Sequence, residues 1–199
     1  MSGARGMRHP ERWVAVLRIG VGLWFLKSLF TKIVWSTAGG LLPMPSVSKR
    51  WIGFMPKKLA EFAAGNPQGW YVDFLHQVVL PNADLFARLT AVGEVVVGIG
   101  LTLGLFTEVA AAVGFFLALN YGLASYWQSP GEQGFHLVLL LSMAVFIGAS
   151  AGRVWGTDGF LASFAARRRR ATAPMPRPTR RLAPWPTGWR AGSNPPPEA

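Results

Sequence analysis

Glu94 is a lone carboxylate inside a long apolar run, LFARLTAVGEVVVGIGLTLGLF, residues 85–106. The run can cross a bilayer, because about 20 apolar residues rising about 1.5 Å each span roughly 30 Å of hydrocarbon. A carboxylate at that depth costs about 2.5–3.5 kcal/mol, so it must face protein or water and meet a partner. Two candidates lie on the first apolar run, residues 13–35. On a helix turning about 100° per residue, Arg18, Gly22, Phe25, Leu29 and Lys32 fall within about 40° of one line. Lys27 falls about 180° from Arg18 and is placed to snorkel toward headgroups. Measured from the outer surface, Lys32 is roughly 5 Å deep, Glu94 roughly 12–14 Å and Arg18 roughly 25 Å. The spacing predicts a buried polar cluster of Arg18, Lys32 and Glu94 between the first two spans. Such a cluster could handle charge and protons. The alternative reading is that it only sets helix register.

Other polar residues gather toward the outer half of the spans: Asn120, Tyr121, Tyr126 and His136, with His76 on the segment before the second span. Of these, His76, Asn120 and His136 are candidates for substrate contact, although a histidine near a span end is more often simply interfacial. No two histidines sit at ligand spacing, so neither a metal nor a haem is expected on this chain. There is no cysteine. That excludes disulfides, thiolate metal sites, iron–sulfur clusters and cysteine nucleophiles.

These residues need an all-α, four-span membrane bundle to position them. Of 199 residues 51% are hydrophobic and 15% charged, against about 25% charged in a soluble domain. The apolar excess falls in four blocks, at about 13–35, 85–106, 109–127 and 135–152. Residues 1–12 are a basic N-terminus. Arg18 and Lys27 interrupt the apolar core that a cleaved signal peptide would need. Residues 36–84 are too long for a structureless loop. They read as surface structure, with a short helix over 56–64 ended by Gly65. An Asn66-Pro67 start follows, and then an amphipathic helix marked by Trp70, Phe74 and Val78. That helix suits the headgroup level, and a water-exposed cap is the alternative. Small residues recur at helical spacing in three spans: Gly93, Gly100 and Gly104; Gly114 with its neighbours; and Gly148. Such faces let backbones approach closely, or hold a second copy or another subunit. Residues 161–199 carry a row of four arginines, Arg167 to Arg170, and many prolines, and read as a disordered tail. A formal charge of +11 would suggest nucleic acid in a soluble chain. Here it lies largely outside the spans, so anionic lipid is the expected partner and nucleic acid is not. The positive-inside rule places both termini in the cytoplasm and residues 36–84 outside the cytoplasmic membrane.

The pattern Arg18…Gly22…Phe25…Lys32, then FARLTAVGEVVVGIGLTLGLFTEVAAAVG at 86–114, then GASAGRVWGTD at 148–158, resembles the DoxX/DoxD-like membrane proteins over residues 13–160. WYVDFLHQVVLPNADLFA is most similar to the branch that supplies the membrane subunit of thiosulfate:quinone oxidoreductase. Glu108 stands where that branch often has a basic residue. Asp158 follows Thr157 rather than the usual leucine or serine-leucine. The resemblance implies a four-helix bundle in a redox system that oxidises thiosulfate to tetrathionate and passes electrons to quinone. It makes Arg18, Lys32 and Glu94 the groups for a quinone pocket and implies a redox partner subunit or a homo-oligomer. A non-catalytic scaffold for a partner enzyme is the alternative.

Overall fold

The computed structural model describes residues 9–38 and 42–172. Four helices are long and apolar enough to cross a membrane: α1 (Pro10–Lys32), α4 (Ala83–Leu103), α5 (Thr107–Ser125) and α6 (Pro130–Gly148). Between α1 and α4 lie a hairpin of β1 (Ile33–Ala38) and β2 (Leu42–Val47), then α2 (Lys49–Gly65) and α3 (Gly69–Phe74). A π-helical turn, Leu75–Val79, continues α3. A 3₁₀ turn, Ala151–Arg153, leads to α7 (Thr157–Thr172).

The helix ends follow local chemistry. Pro10 opens α1 with Glu11 in the first turn and Lys32 in the last, each suited to the end of the helix dipole it occupies. Ser129 caps α6 by accepting from the Glu132 amide at 3.2 Å, and Pro130 sits at the first helical position. Gly104 ends α4 at φ 65°, a left-handed backbone that glycine adopts without penalty. Phe106 at φ 46° completes the three-residue reversal into α5.

The core runs through the spans, with Phe25, Val97, Leu101, Ala111, Met143 and Phe146 at its centre. α1 packs most extensively on α4, and α5 on α6, whereas α1 and α6 touch sparsely. Glycine makes the α1–α4 contact close. A Cβ on Gly22 would lie 2.6 Å from the Thr102 amide nitrogen, and one on Gly98 would lie 2.6 Å from that of Leu26. Of the small residues expected to pack, Gly100 faces Ala110, Gly114 faces Met143, Gly93 faces Leu117 and Gly104 faces Arg18 and Gly156. Gly148 is a correction: nothing lies within 4 Å of its Cβ position, because α6 ends there on an exposed surface.

α2, α3 and the π-helical turn form a packed cap. Leu59, Ala63, Tyr71, Leu75 and Val79 share a second core with Ala124 of α5. Trp51 Nε1 donates to Ala87 O at 2.9 Å, Asn66 Nδ2 to Leu123 O at 2.7 Å and Tyr71 Oη to Asn120 O at 3.0 Å. Burial lifts the Tyr71 phenol to about 12. Phe54 and Trp70 stay exposed on the cap. The helix expected at 56–64 begins earlier, at Lys49, and carries Pro56 inside it. The hairpin was not expected. Prolines at 43 and 45 disguise β2, since proline is tolerated only on edge strands, and a two-stranded ribbon consists of edges. At the other end the tail expected from residue 161 is helical to Thr172. Residues 1–8 and 173–199, with their expected basic and disordered character, lie outside the described residues.

Candidate functional site

Glu94 is buried on α4, one turn before Val97 and Gly98 meet α1 and α5. Its Oε2 lies 2.5 Å from Lys32 Nζ, the last residue of α1. Its Oε1 accepts from Tyr121 Oη of α5 at 2.6 Å. Three helices thus converge on one carboxylate, and both of its oxygens are engaged. The side chains of Lys32 and Glu94 are only 15% and 11% exposed, so the pair is largely shielded from screening. Trp51 of the cap covers Lys32, whose Nζ lies 3.8 Å from the ring centroid.

Lys32, Glu94 and Tyr121 line a cavity of about 260 Å³. It lies along the sparse seam between α1 and α6, where Trp24 and Phe135 meet edge to face at 5.8 Å. Both rings are exposed on the outer surface of the bundle. Phe25 and Leu139 form apolar walls, and Lys27 sits at the mouth with Nζ 4.1 Å from the Trp24 centroid. The cavity therefore has aromatic rings and one ammonium at its rim and polar groups at its floor. That arrangement suits a ring-shaped ligand with a hydrogen-bonding edge.

Arg18 does not join this cluster. It is fully buried, but its Nη1 donates to Leu101 O at 2.6 Å and its Nη2 to Trp155 O at 3.1 Å. The physical reason is length. Arg18 sits about 21 Å below Lys32 on α1 at about 1.5 Å per residue, beyond one side chain's reach of Glu94. It meets the carbonyls left unsatisfied at the C-terminal end of α4 instead. There it belongs to a clasp. The Asp158 carboxylate accepts from the Phe106 and Thr107 amides at 2.8 and 2.9 Å, capping α5. The Asp158 amide donates to Gly104 O at 2.9 Å. Burial pushes the Asp158 carboxyl up. Hydrogen bonds from Thr107 and Phe106, with the Arg18 charge nearby, outweigh it and hold the carboxyl below its ordinary value. Gly152 and Gly156 fit inside the clasp where a Cβ would strike Thr107, Asp158 and the Gly152 carbonyl.

The three weaker candidates lie apart from Glu94's partners. His76 is exposed on the π-helical turn. Asn120 Nδ2 bonds back to Phe116 O within α5 at 2.8 Å. His136 is buried, with Nδ1 2.8 Å from Glu132 O, and lines a separate groove with Tyr126 and Gln133. Tyr121 and Trp51 were not assigned to the cluster from sequence. Tyr121 had a usable signal, because it follows Gly114 by seven residues and Ala118 by three on the packed face of α5. Trp51 had none, since the hairpin that delivers it was unread. Among the described residues no group of three or more His, Cys, Asp or Glu could hold a metal ion.

The sequence motifs thus divide into a clasp at the end of the bundle nearest the termini and a lined cavity at the other. No curated protein and no solved structure gave a match to the chain. A family model described as "TQO small subunit DoxD" matches residues 13–170, which take in both the clasp and the cavity, and the chain belongs to the DoxD family.

Proposed function

We propose that this chain is the membrane subunit of a quinone-linked oxidoreductase, and that the cavity between α1 and α6 receives a quinone headgroup. The observation that carries the reading is the Lys32–Glu94–Tyr121 triad at the floor of a cavity opening through an aromatic rim. At about 260 Å³ the cavity is ring-sized rather than large enough for a whole lipid, since drug-sized pockets run about 300–1,000 Å³. A long isoprenoid tail would remain outside, along the lipid-facing seam. Quinone, when bound, accepts two electrons and two protons. Lys32 has further N–H groups that would hold a quinone carbonyl oxygen, while the Tyr121 O–H, bonded to Glu94, would serve as a proton source. Glu94 keeps those donors oriented and can pass a proton between them. Trp24 and Phe135 would flank the ring.

The family name and the sequence resemblance support thiosulfate as the electron source. Two thiosulfates joined as tetrathionate release the two electrons that quinone takes up. Lys27 and Lys32 would raise the local concentration of such an anion near the rim. The family description as a small subunit supports a redox partner subunit in this reading. It places the chain in the cytoplasmic membrane with both termini in the cytoplasm. Proteoliposomes holding the chain with its co-purified partner should reduce a short-chain quinone with thiosulfate. Glu94→Gln should lower the rate by about 10²-fold or more, with insertion retained. Unchanged turnover in that variant, or none in the wild type, would overturn the reading.

A further inference from the structure

α7 leaves the bundle carrying an apolar stripe that nothing in the described residues covers. Phe160 is 71% exposed and Phe164 50%, and Leu161 and Trp155 are exposed beside them. At about 100° per residue Phe160, Leu161 and Phe164 fall on one side of the helix. Arg168 is on that side too, its guanidinium 4.9 Å from the Phe164 ring centroid. After Asp158, which is committed to the clasp, α7 holds no acidic residue, and arginine occupies 167–170.

The clasp fixes where this stripe lies. Asp158 and Thr157 bond to Gly104, Phe106 and Thr107, at the turn where α4 passes into α5. That turn marks the bilayer boundary. Phe160 follows Asp158 by about 3 Å of helical rise and Phe164 by about 9 Å. The headgroup layer is about 5–7 Å deep on each side of the hydrocarbon. Phe160 and Leu161 therefore stay at headgroup depth whatever the tilt of the axis, and the arginines follow at or beyond the phosphates. We propose that α7 is a surface-seated helix that binds anionic phospholipid, with Phe160, Leu161 and Phe164 in the headgroup layer and the arginine row on lipid phosphates. A second copy docked through the same stripe would gather two arginine rows into one interface with no acid after Asp158 to offset them, which charge disfavours. The pattern of aromatic stripe and basic flank is that of interfacial helices.

The chain has no cysteine, so single thiols report cleanly. Leu161→Cys and Ala166→Cys, both at exposed positions about 140° apart on the helix, are placed separately in the full chain. Each protein goes singly into nanodiscs of phosphatidylcholine with or without phosphatidylglycerol and is labelled with an impermeant maleimide. The expected result is that position 161 labels roughly tenfold more slowly than position 166 in anionic discs. The protection should fall in about 1 M salt, in phosphatidylcholine alone, and when Arg167, Arg168, Arg169 and Arg170 are changed to Gln. Phe160→Ser with Phe164→Ser should also abolish it at an unchanged melting temperature. Equal labelling at 161 and 166 in anionic discs overturns the proposal. So does protection that survives salt and the arginine changes, or that appears only with two copies per disc.

Discussion

At the residue scale, the bundle buries Glu94 at the end away from the clasp and gives it two donors. Removing either donor has a distinct expected effect. Lys32→Met leaves Glu94 buried without its cation. Breaking a buried ion pair costs about 3–5 kcal/mol, and the modest exposure of this pair puts the expected loss at the low end, read as a lower melting temperature in detergent. Tyr121→Phe removes one hydrogen bond to a charged acceptor, worth about 1.5–3 kcal/mol, and should slow quinone reduction more than it weakens quinone binding. A larger effect on binding than on turnover would remove Tyr121 from proton handling. Depth arithmetic found Lys32 for Glu94 because both are charged and few charges lie in the spans. It misplaced Arg18 because the partners of Arg18 are main-chain carbonyls, which every sequence has and no residue type announces.

At the element scale, the clasp ties α1, the α4–α5 turn and the start of α7 together. It holds three non-glycine residues, Phe106, Ser150 and Trp155, at positive φ, each a strain of about 1–3 kcal/mol that the surrounding bonds must offset. Asp158 gives the clasp a pH dependence. Its carboxyl is more acidic folded than unfolded, so its contribution is complete above about pH 4 and is lost as pH falls through the lower folded value. Asp158→Asn should lower the melting temperature at pH 7 and flatten the decline below about pH 4. If melting of the variant tracked the wild type across that range, the clasp would not be stabilising. In the span contact, Gly98→Val should force α1 away from α4 and cost several kcal/mol, since overpacking costs about 1–3 kcal/mol even where side chains can give and here backbone must move. A variant that melts normally would deny the close approach. The spans were legible because apolar length is a one-dimensional signal, and their ends shift by only a few residues. The hairpin and the helical start of the tail were not. Proline in β2 and arginine in α7 argue against structure locally, and pairing with β1 and anchoring by Asp158 decide otherwise.

At the scale of the whole molecule, the cap, the cavity and the clasp are stacked along one axis. Trp51 reaches from α2 to Lys32 and to Ala87, so the cap is bound to the site and not merely beside it. Trp51→Ala should leave the spans inserted while loosening Lys32, seen as faster quenching of cavity fluorescence by a soluble anion. If quenching were unaltered, the cap would have no hold on the site.

Between the Glu94 end and the Arg18 end lie buried apolar side chains, Phe25, Val97, Met143 and Phe146 among them, with Leu101 at the level of the guanidinium. Oil thus separates the two ionic islands, and the Lys32–Glu94 pair lies on the cap side of it. Hydrogen ions drawn in during turnover would have to come from, and return to, the same aqueous compartment. Catalysis by such a molecule would leave the transmembrane voltage untouched, and a potential-sensitive dye in sealed proteoliposomes should stay dark while quinol accumulates.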